Sequence, residues 1–216
     1  AVDAYANAHH YRLYVWTKAT CPPVDVSFFS PDLGRTFTEC AEWRAADEAA
    51  MARLHPALVV FGIAPDYDAA YQIVQNGPAW LGGLRRSIKA LRADGARVLV
   101  MGSAPSPPDV IPDCLSAHLD DVAACDFSRV GHRIGGGGLD GVLPAADEEA
   151  AARAAGASYV DVTPWFCTSQ HCVAVVDNLL VYRDNSHITV PYATYLAPLV
   201  GDEMSAALGP SAAGGG

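Results

Sequence analysis

The stretch "ALVVFG", residues 57–62, decides how this chain is read. Its apolar residues are successive rather than alternating, and they end on a glycine. That pattern suits a strand buried on both faces, as strands of parallel sheets are. "RVLVMG" (97–102) repeats the pattern. "YRLYVW" (11–16), "SYVDV" (158–162) and "LLVY" (179–182) complete the set of expected strands. Helical patterns lie between them. "TECAEWRAADEAAMARL" (38–54) opens with a threonine and a glutamate and is rich in good helix formers. "PAWLGGLRRSIKALRADG" (78–95) spaces Trp80, Leu84, Ile88 and Leu91 along one helical face, and Gly95 closes it. "PAADEEAAARAAG" (144–156) opens on proline and acids and ends on Gly156. "VPYATYLAPLVGDEMSAAL" (190–208) reads as a terminal helix in which Pro191 and Pro198 require a boundary or a kink. Strand and helix alternate, so the expected fold is α/β, an open and mostly parallel sheet with helices on both faces.

The 216 residues suffice for one sizeable domain, expected over 1–208, with residues 209–216 as a disordered tail. Half the residues are hydrophobic (51%) and 18% are charged, a folded composition. The net charge of −10 disfavours a general nucleic-acid binder or a binder of anionic membranes. No run is long and apolar enough to span a bilayer, and "AVDAYANAHH" (1–10) lacks the look of a signal peptide. "HRIGGGGLDG" (132–141) reads as a flexible loop, since the lysine or serine of a phosphate-binding loop does not follow it.

Six cysteines, Cys21, Cys40, Cys114, Cys125, Cys167 and Cys172, allow fifteen pairings, and sequence alone does not choose among them. Pairing with the nearest neighbour is the economical arrangement, because each such pair brackets a loop-like stretch; six buried thiols are the alternative. No CxxC or HxxxH spacing suggests zinc or a redox motif, so no metal is expected. Disulfides would place the domain in an oxidising, extracytoplasmic setting, exported by a segment outside these residues.

Asp184 and His187 stand three residues apart in "VYRDNSHITVPYATYLAP" (181–198), just beyond an expected strand. Ligands of open α/β sheets gather beyond strand ends. From a loop, such an acid can accept the imidazole N–H, fix its tautomer and stabilise the imidazolium that forms when the ring takes a proton. The competing reading is a surface turn, "RDNSH", followed by a helix cap at Ser186 or Thr189.

"LLVYRDNSHITVPYATYLAP" resembles the closing Asp-x-x-His motif of the SGNH hydrolases. It is most similar to the version in extracytoplasmic domains fused to type-three membrane acyltransferases, which move acyl groups onto cell-surface glycans. Ile188 stands where that pattern has leucine. "RLYVWTKATCPP" (12–23), "CAEWR" (40–44), "PDCLSAHLDDVAAC" (112–125) and "FCTSQHCVAV" (166–175) resemble the family's cysteine-bearing segments. The likeness runs through nearly the whole chain. It implies a flavodoxin-like three-layer α/β/α sandwich, a catalytic Asp184–His187 pair, and the three local disulfides.

The family's nucleophile lies in a Gly-Asp-Ser block, which occurs nowhere in these residues. The resemblance places that block just before Ala1, with "AVDAYANAHH" as the helix after it and "YRLYVW" as the second strand. The chain is therefore expected to lack its first, central strand. Either it is a piece whose natural start lies upstream, or it is a nucleophile-less relative, such as a glycan-binding or scaffolding domain. Ser103, in "VLVMGSAP", is the best substitute serine and reads more simply as a turn residue. Gly62 is the candidate oxyanion donor at a strand end, where a turn glycine is the competing reading. Asn76 lies too far past the strand to serve. His9 and His10 are expected at a helix end, His171 lies inside a small cysteine loop, and His55, His118 and His132 lack acidic or cysteine partners at metal spacing; Trp165 is a packing residue that could line a sugar site. The expected activity is acyl transfer to a glycan hydroxyl, or hydrolysis, without a cofactor. The partners implied are an acylated glycan or sugar acceptor and a fused membrane acyltransferase module, with no nucleic acid.

Overall fold

The computed structural model describes residues 1–64, 67, 69–130, 132–133, 139–140 and 143–209. In chain order its elements begin with helix α1 (Val2–Ala8), the short strands β1 (Phe29–Ser30) and β2 (Arg35–Thr36), helix α2 (Thr38–Leu54) and strand β3 (Leu58–Gly62). Next come α3 (Pro78–Ala93), β4 (Arg97–Met101), α4 (Ile111–Ala117), β5 (Phe127–Ser128), β6 (His132–Arg133) and β7 (Leu139–Asp140). The chain closes with α5 (Ala146–Ala154), β8 (Ser158–Val160), β9 (His171–Cys172), β10 (Val175–Val176), β11 (Leu179–Leu180), α6 (Val190–Tyr195) and α7 (Ala197–Leu208).

The chain divides into two compact units. One is built from Ala1–Leu13, Ser103–Leu143 and Val162–Asp202, the other from Tyr14–Gly102, Pro144–Asp161 and Glu203–Gly216.

The second unit carries the parallel sheet, in the order β3–β4–β8. Leu58 to Gly62 align with Arg97 to Met101, and Leu99 to Met101 with Ser158 to Val160. The two runs that decide the fold are therefore neighbours. Val98, Leu99 and Val100 in the middle strand are buried to 2% exposure or less, as the unbroken apolar run requires. Helix α3 lays Trp80, Leu84, Ile88 and Leu91 into the core, and α5 adds Ala151 and Ala152. Burying each leucine or isoleucine stabilises the unit by roughly 1.5–3 kcal/mol. Both helices end as the sequence indicates, on Gly95 and Gly156, each at a φ of +89°. Helix α2 spans the expected residues but stops on His55, a non-glycine residue in the left-handed region at φ 47°.

The same unit holds a buried arginine. Arg44 donates to the carbonyl of Val26 at 2.7 Å and lies 2.8 Å from Sγ of Cys40, in the Cys21–Cys40 disulfide. The first unit contains the other two disulfides, Cys114–Cys125 and Cys167–Cys172. All six cysteines pair with their sequence neighbour, as the resemblance implies.

Two expectations need correction. "YRLYVW" forms no strand ladder among the described residues. Its backbone runs without strand pairing, and Tyr11, Leu13, Tyr14, Val15 and Trp16 are all exposed, Val15 to 71%. A β-prone composition does not make a strand without a neighbour to pair with. "LLVY" does not enter the parallel sheet. Leu179–Leu180 pairs antiparallel with Val175–Val176, because Asp177 and Asn178 both adopt positive φ (45° and 64°) and close a two-residue hairpin turn. Gly209 is the left-handed residue that closes α7, its N–H bonded to the Ser205 carbonyl at 3.0 Å. Residues 210–216 lie outside the described residues, as does most of "HRIGGGGLDG". From that loop β6 and β7 pair antiparallel. The expected terminal helix is two helices, α6 and α7, parting at Leu196 just before Pro198.

Candidate active site

The Asp184–His187 loop belongs to the first unit and is built outward from the β10–β11 hairpin. Beyond β11 the chain buries Val181 and Tyr182 completely. Tyr182 sits in an aromatic cluster with Phe127 and Phe166, and Phe166 in turn meets Tyr192 of α6. Tyr182 forms an antiparallel bridge with Ile188. Arg183 N–H donates to the His187 carbonyl at 2.9 Å, and Thr189 N–H to the Val181 carbonyl at 2.8 Å. These bonds pinch residues 183–187 into a closed loop on a buried base. Thr189 then caps α6, its hydroxyl accepting the Tyr192 N–H at 3.2 Å and donating to the Leu180 carbonyl. Of the two caps considered from sequence, Thr189 is the one used.

Inside the loop the Asp184 carboxylate organises everything. Oδ1 accepts the backbone N–H groups of Ser186 at 2.8 Å and His187 at 2.7 Å. This is the turn that an aspartate side chain makes with its own backbone. Oδ2 lies 2.9 Å from Nδ1 of His187. A carboxylate only accepts, so Nδ1 carries the hydrogen and Nε2 is the free base. The Ser186 hydroxyl, 3.1 Å from Nδ1 and 3.3 Å from Oδ1, then donates to the carboxylate. Arg183 Nε also reaches Oδ2, at 3.3 Å, a long and exposed ion pair of little energetic weight. Among the described residues Nε2 has no hydrogen-bond partner, and the His187 side chain is 62% exposed.

The electrostatics follow from the geometry. Partial burial pulls the Asp184 carboxyl upward, but the Ser186 and His187 N–H groups and the His187 ring outweigh it. The carboxyl therefore titrates well below the usual carboxylate range. It remains an anion at any physiological pH, held against a ring whose other nitrogen faces outward. The arrangement can orient an imidazole, accept a proton on Nε2 and stabilise the resulting cation.

Gly62 ends β3 in the second unit. Nothing lies within 4 Å of the position a Cβ would take, and its φ lies outside the left-handed region, so neither crowding nor backbone conformation requires a glycine there. Asn76 adopts a φ of 61° and donates to the Pro144 carbonyl at 2.9 Å. Ser103 follows β4 in the chain, and Trp165 is half-buried, its carbonyl accepting the Tyr192 hydroxyl. Sequence reasoning took Ser186 only as a possible helix cap and passed over the Asp177–Asn178 turn. The two adjacent turn-forming residues between "VV" and "LL" were the available signal for the hairpin.

The fold is that of an SGNH-type domain, and the sequence comparison names the family. The chain belongs to the family described as SGNH domain (fused to AT3 domains), which matches residues 1–202. In structure it is similar to the periplasmic domain of a lipopolysaccharide acetyltransferase from Salmonella ser. Paratyphi A, with a TM-score of 0.65 and 16% identity, over 94% of this chain and 77% of that one. At that identity the likeness bears on fold alone, which is α/β of the SGNH α/β/α kind. No curated protein matches the sequence.

Proposed function

We propose that this domain is the extracytoplasmic, acyl-handling part of a membrane O-acyltransferase acting on cell-surface glycans, with His187 as its acid–base and Asp184 as the group that orients it. The observation that carries the reading is the Asp184 carboxylate, fixed by two backbone N–H groups and 2.9 Å from Nδ1 of His187. The family's fusion to AT3 domains supports a membrane module as partner. The periplasmic origin of the similar structure and the three disulfides support the location. Among the described residues no helix is long and apolar enough to cross a membrane.

In this reading a serine hydroxyl carried outside these residues attacks an acyl ester, and Nε2 of His187 takes its proton. The tetrahedral intermediate collapses, the C–O bond to the leaving alcohol breaks, and the imidazolium returns the proton to that alcohol. The acyl-serine is then attacked by a glycan hydroxyl, or by water in the hydrolytic version. His187 accepts the proton of that nucleophile and returns it to the departing serine. Throughout, Asp184 keeps the ring in the Nδ1–H tautomer and balances the imidazolium charge.

The full-length protein is expected to turn over a chromogenic acetyl ester, and His187→Ala to lower that rate by about 10²–10⁴-fold. Turnover unchanged by the substitution overturns the assignment. Glycan binding without any turnover favours the non-catalytic reading instead.

A further inference from the structure

A cavity of about 200 Å³ opens in the second unit at the start of the parallel strands, the end opposite Gly62 and Met101. Its walls are Arg92 near the end of α3, Arg97 and Val98 of β4, Gly156 and Ser158 at the entry to β8, and Ala207 of α7. Two guanidinium groups therefore share one small concavity in a chain whose net charge is −10.

Neither cation is neutralised there. Among the described residues no carboxylate lies within ion-pairing distance of Arg92 or Arg97, although the chain has 24 acids and other arginines, such as Arg86 and Arg153, are paired. Arg97 spends a single N–H, from Nη1, on the Ala207 carbonyl at 3.3 Å. The hydroxyl of Ser158 has no partner among the described residues.

The backbone is shaped around the two side chains. Gly156 has a φ of +89°, and a Cβ there would come within 2.7 Å of Arg92 Nε. A Cβ at Gly209 would fall 2.6 Å from Arg97 Nη1. At both places the glycine leaves room for a guanidinium to lie against the main chain.

We infer that this cavity is a binding site for a phosphate group. Two planar forks of N–H donors and one hydroxyl match an oxyanion of charge near −2 with three terminal oxygens, whereas a carboxylate is satisfied by a single fork. Free phosphate, a small phosphate monoester and a monoester lipid headgroup present the same chemistry at the cavity. Phosphate binding by these residues does not depend on the acyl chemistry proposed for Asp184 and His187.

Calorimetric titration of the protein with inorganic phosphate, at ionic strength held constant with chloride, tests the inference. Saturable one-to-one binding is expected, weakened about tenfold or more by Arg92→Gln and by Arg97→Gln, since a hydrogen bond to a charged group is worth that much. Ser158→Ala, which leaves both arginines in place, is expected to weaken binding less, and Arg85→Gln, on α3 outside the cavity, not at all. Near-UV circular dichroism of each variant separates lost binding from lost fold. A parallel arm uses phosphatidic acid vesicles, whose headgroup is a phosphate monoester, with phosphatidylcholine controls. Vesicle binding lost in the same two variants assigns the phosphate to a headgroup, and phosphate binding without vesicle binding assigns it to a soluble species. Phosphate binding no stronger than chloride, phosphate binding that survives both arginine substitutions, or vesicle binding without phosphate binding overturns the inference.

Discussion

Trp80 of α3 donates its indole N–H to Oε1 of Glu148 at 3.2 Å, deep in the core beside the parallel sheet. The other carboxyl oxygen accepts the hydroxyl of Tyr159 from β8, at 3.1 Å. Glu148 is 1% exposed and faces no cation among its hydrogen-bond partners. A carboxyl so placed joins a helix to a strand through neutral donors alone. Burial pushes its pKa up, opposed by the hydrogen bonds from Trp80 and Tyr159.

The sign of the pH effect follows. A carboxyl raised in the folded state binds its proton more tightly there than in the unfolded chain. Its favourable contribution is complete below the ordinary glutamate range and is lost as pH rises through the raised folded value. Glu148→Gln keeps an acceptor for Trp80 and offers a donor to Tyr159, mimicking the protonated acid. It is expected to raise the stability at neutral pH and to flatten its decline between acidic and neutral pH, read from urea unfolding. Glu148→Ala leaves the indole and phenol groups unpartnered and is expected to cost about 2–4 kcal/mol. A glutamine variant less stable than the parent at pH 7 would contradict this account.

Two adjacent glycines in α3 are expected to behave oppositely. A Cβ at Gly83 would stand 2.4 Å from the Asp25 carbonyl oxygen, which belongs to main chain and has little freedom to yield. A Cβ at Gly82 meets nothing closer than an arginine tip at 3.5 Å. Gly82→Ala should therefore stabilise by about 0.5–1 kcal/mol through helix propensity. Gly83→Ala should destabilise by about 1–3 kcal/mol through overpacking. Thermal unfolding of the two variants checks the contrast.

The Asp184 turn is expected to withstand acid. Its depressed carboxyl contributes stability that is present above the ordinary aspartate value and lost only as pH falls through the lower folded value. The amide resonances of Ser186 and His187 should thus show no titration step centred near pH 4, the step from the carboxylate appearing only below it. Movement centred near pH 4 would mean that the carboxylate does not hold those N–H groups in solution.

The three disulfides should differ in worth. In the chain-entropy account, the bond between Cys21 and Cys40, separated by 19 residues, contributes about 3 kcal/mol, and that between Cys167 and Cys172, separated by 5, about 2 kcal/mol. Removing the first also deprives buried Arg44 of the Cys40 contact at 2.8 Å. Paired Cys→Ala replacements, compared by denaturant midpoint, are expected to rank Cys21–Cys40 as the more damaging loss.

What was legible in the chain depended on how local the cause was. "ALVVFG" and "RVLVMG" announced parallel strands by their continuous apolar runs; both faces are covered in the middle strand β4, whereas β3, at the sheet edge, leaves Leu58, Val59 and Val60 partly exposed. Helices α2, α3 and α5 were bounded by glycines, prolines and acids that act within one turn. The contact of Asp184 with His187 was visible in their three-residue spacing. "YRLYVW" misled because pairing depends on a neighbour the segment does not encode. "LLVY" misled because two left-handed residues upstream set its direction. Glu148 was hidden among the acids of "ADEEAAARAA", which look like a solvent-facing helix start. Its membership of the buried stripe with Ala151, Ala152 and Ala155, at helical spacing, was the signal that distinguishes it from Asp147 and Glu149.

Every bridge in this protein joins a cysteine to the next one along the chain, and none crosses from one compact unit to the other. A polypeptide emerging amino terminus first therefore meets each correct thiol before any later competitor exists. The order of synthesis and the finished connectivity coincide, so oxidation can keep pace with emergence without reshuffling.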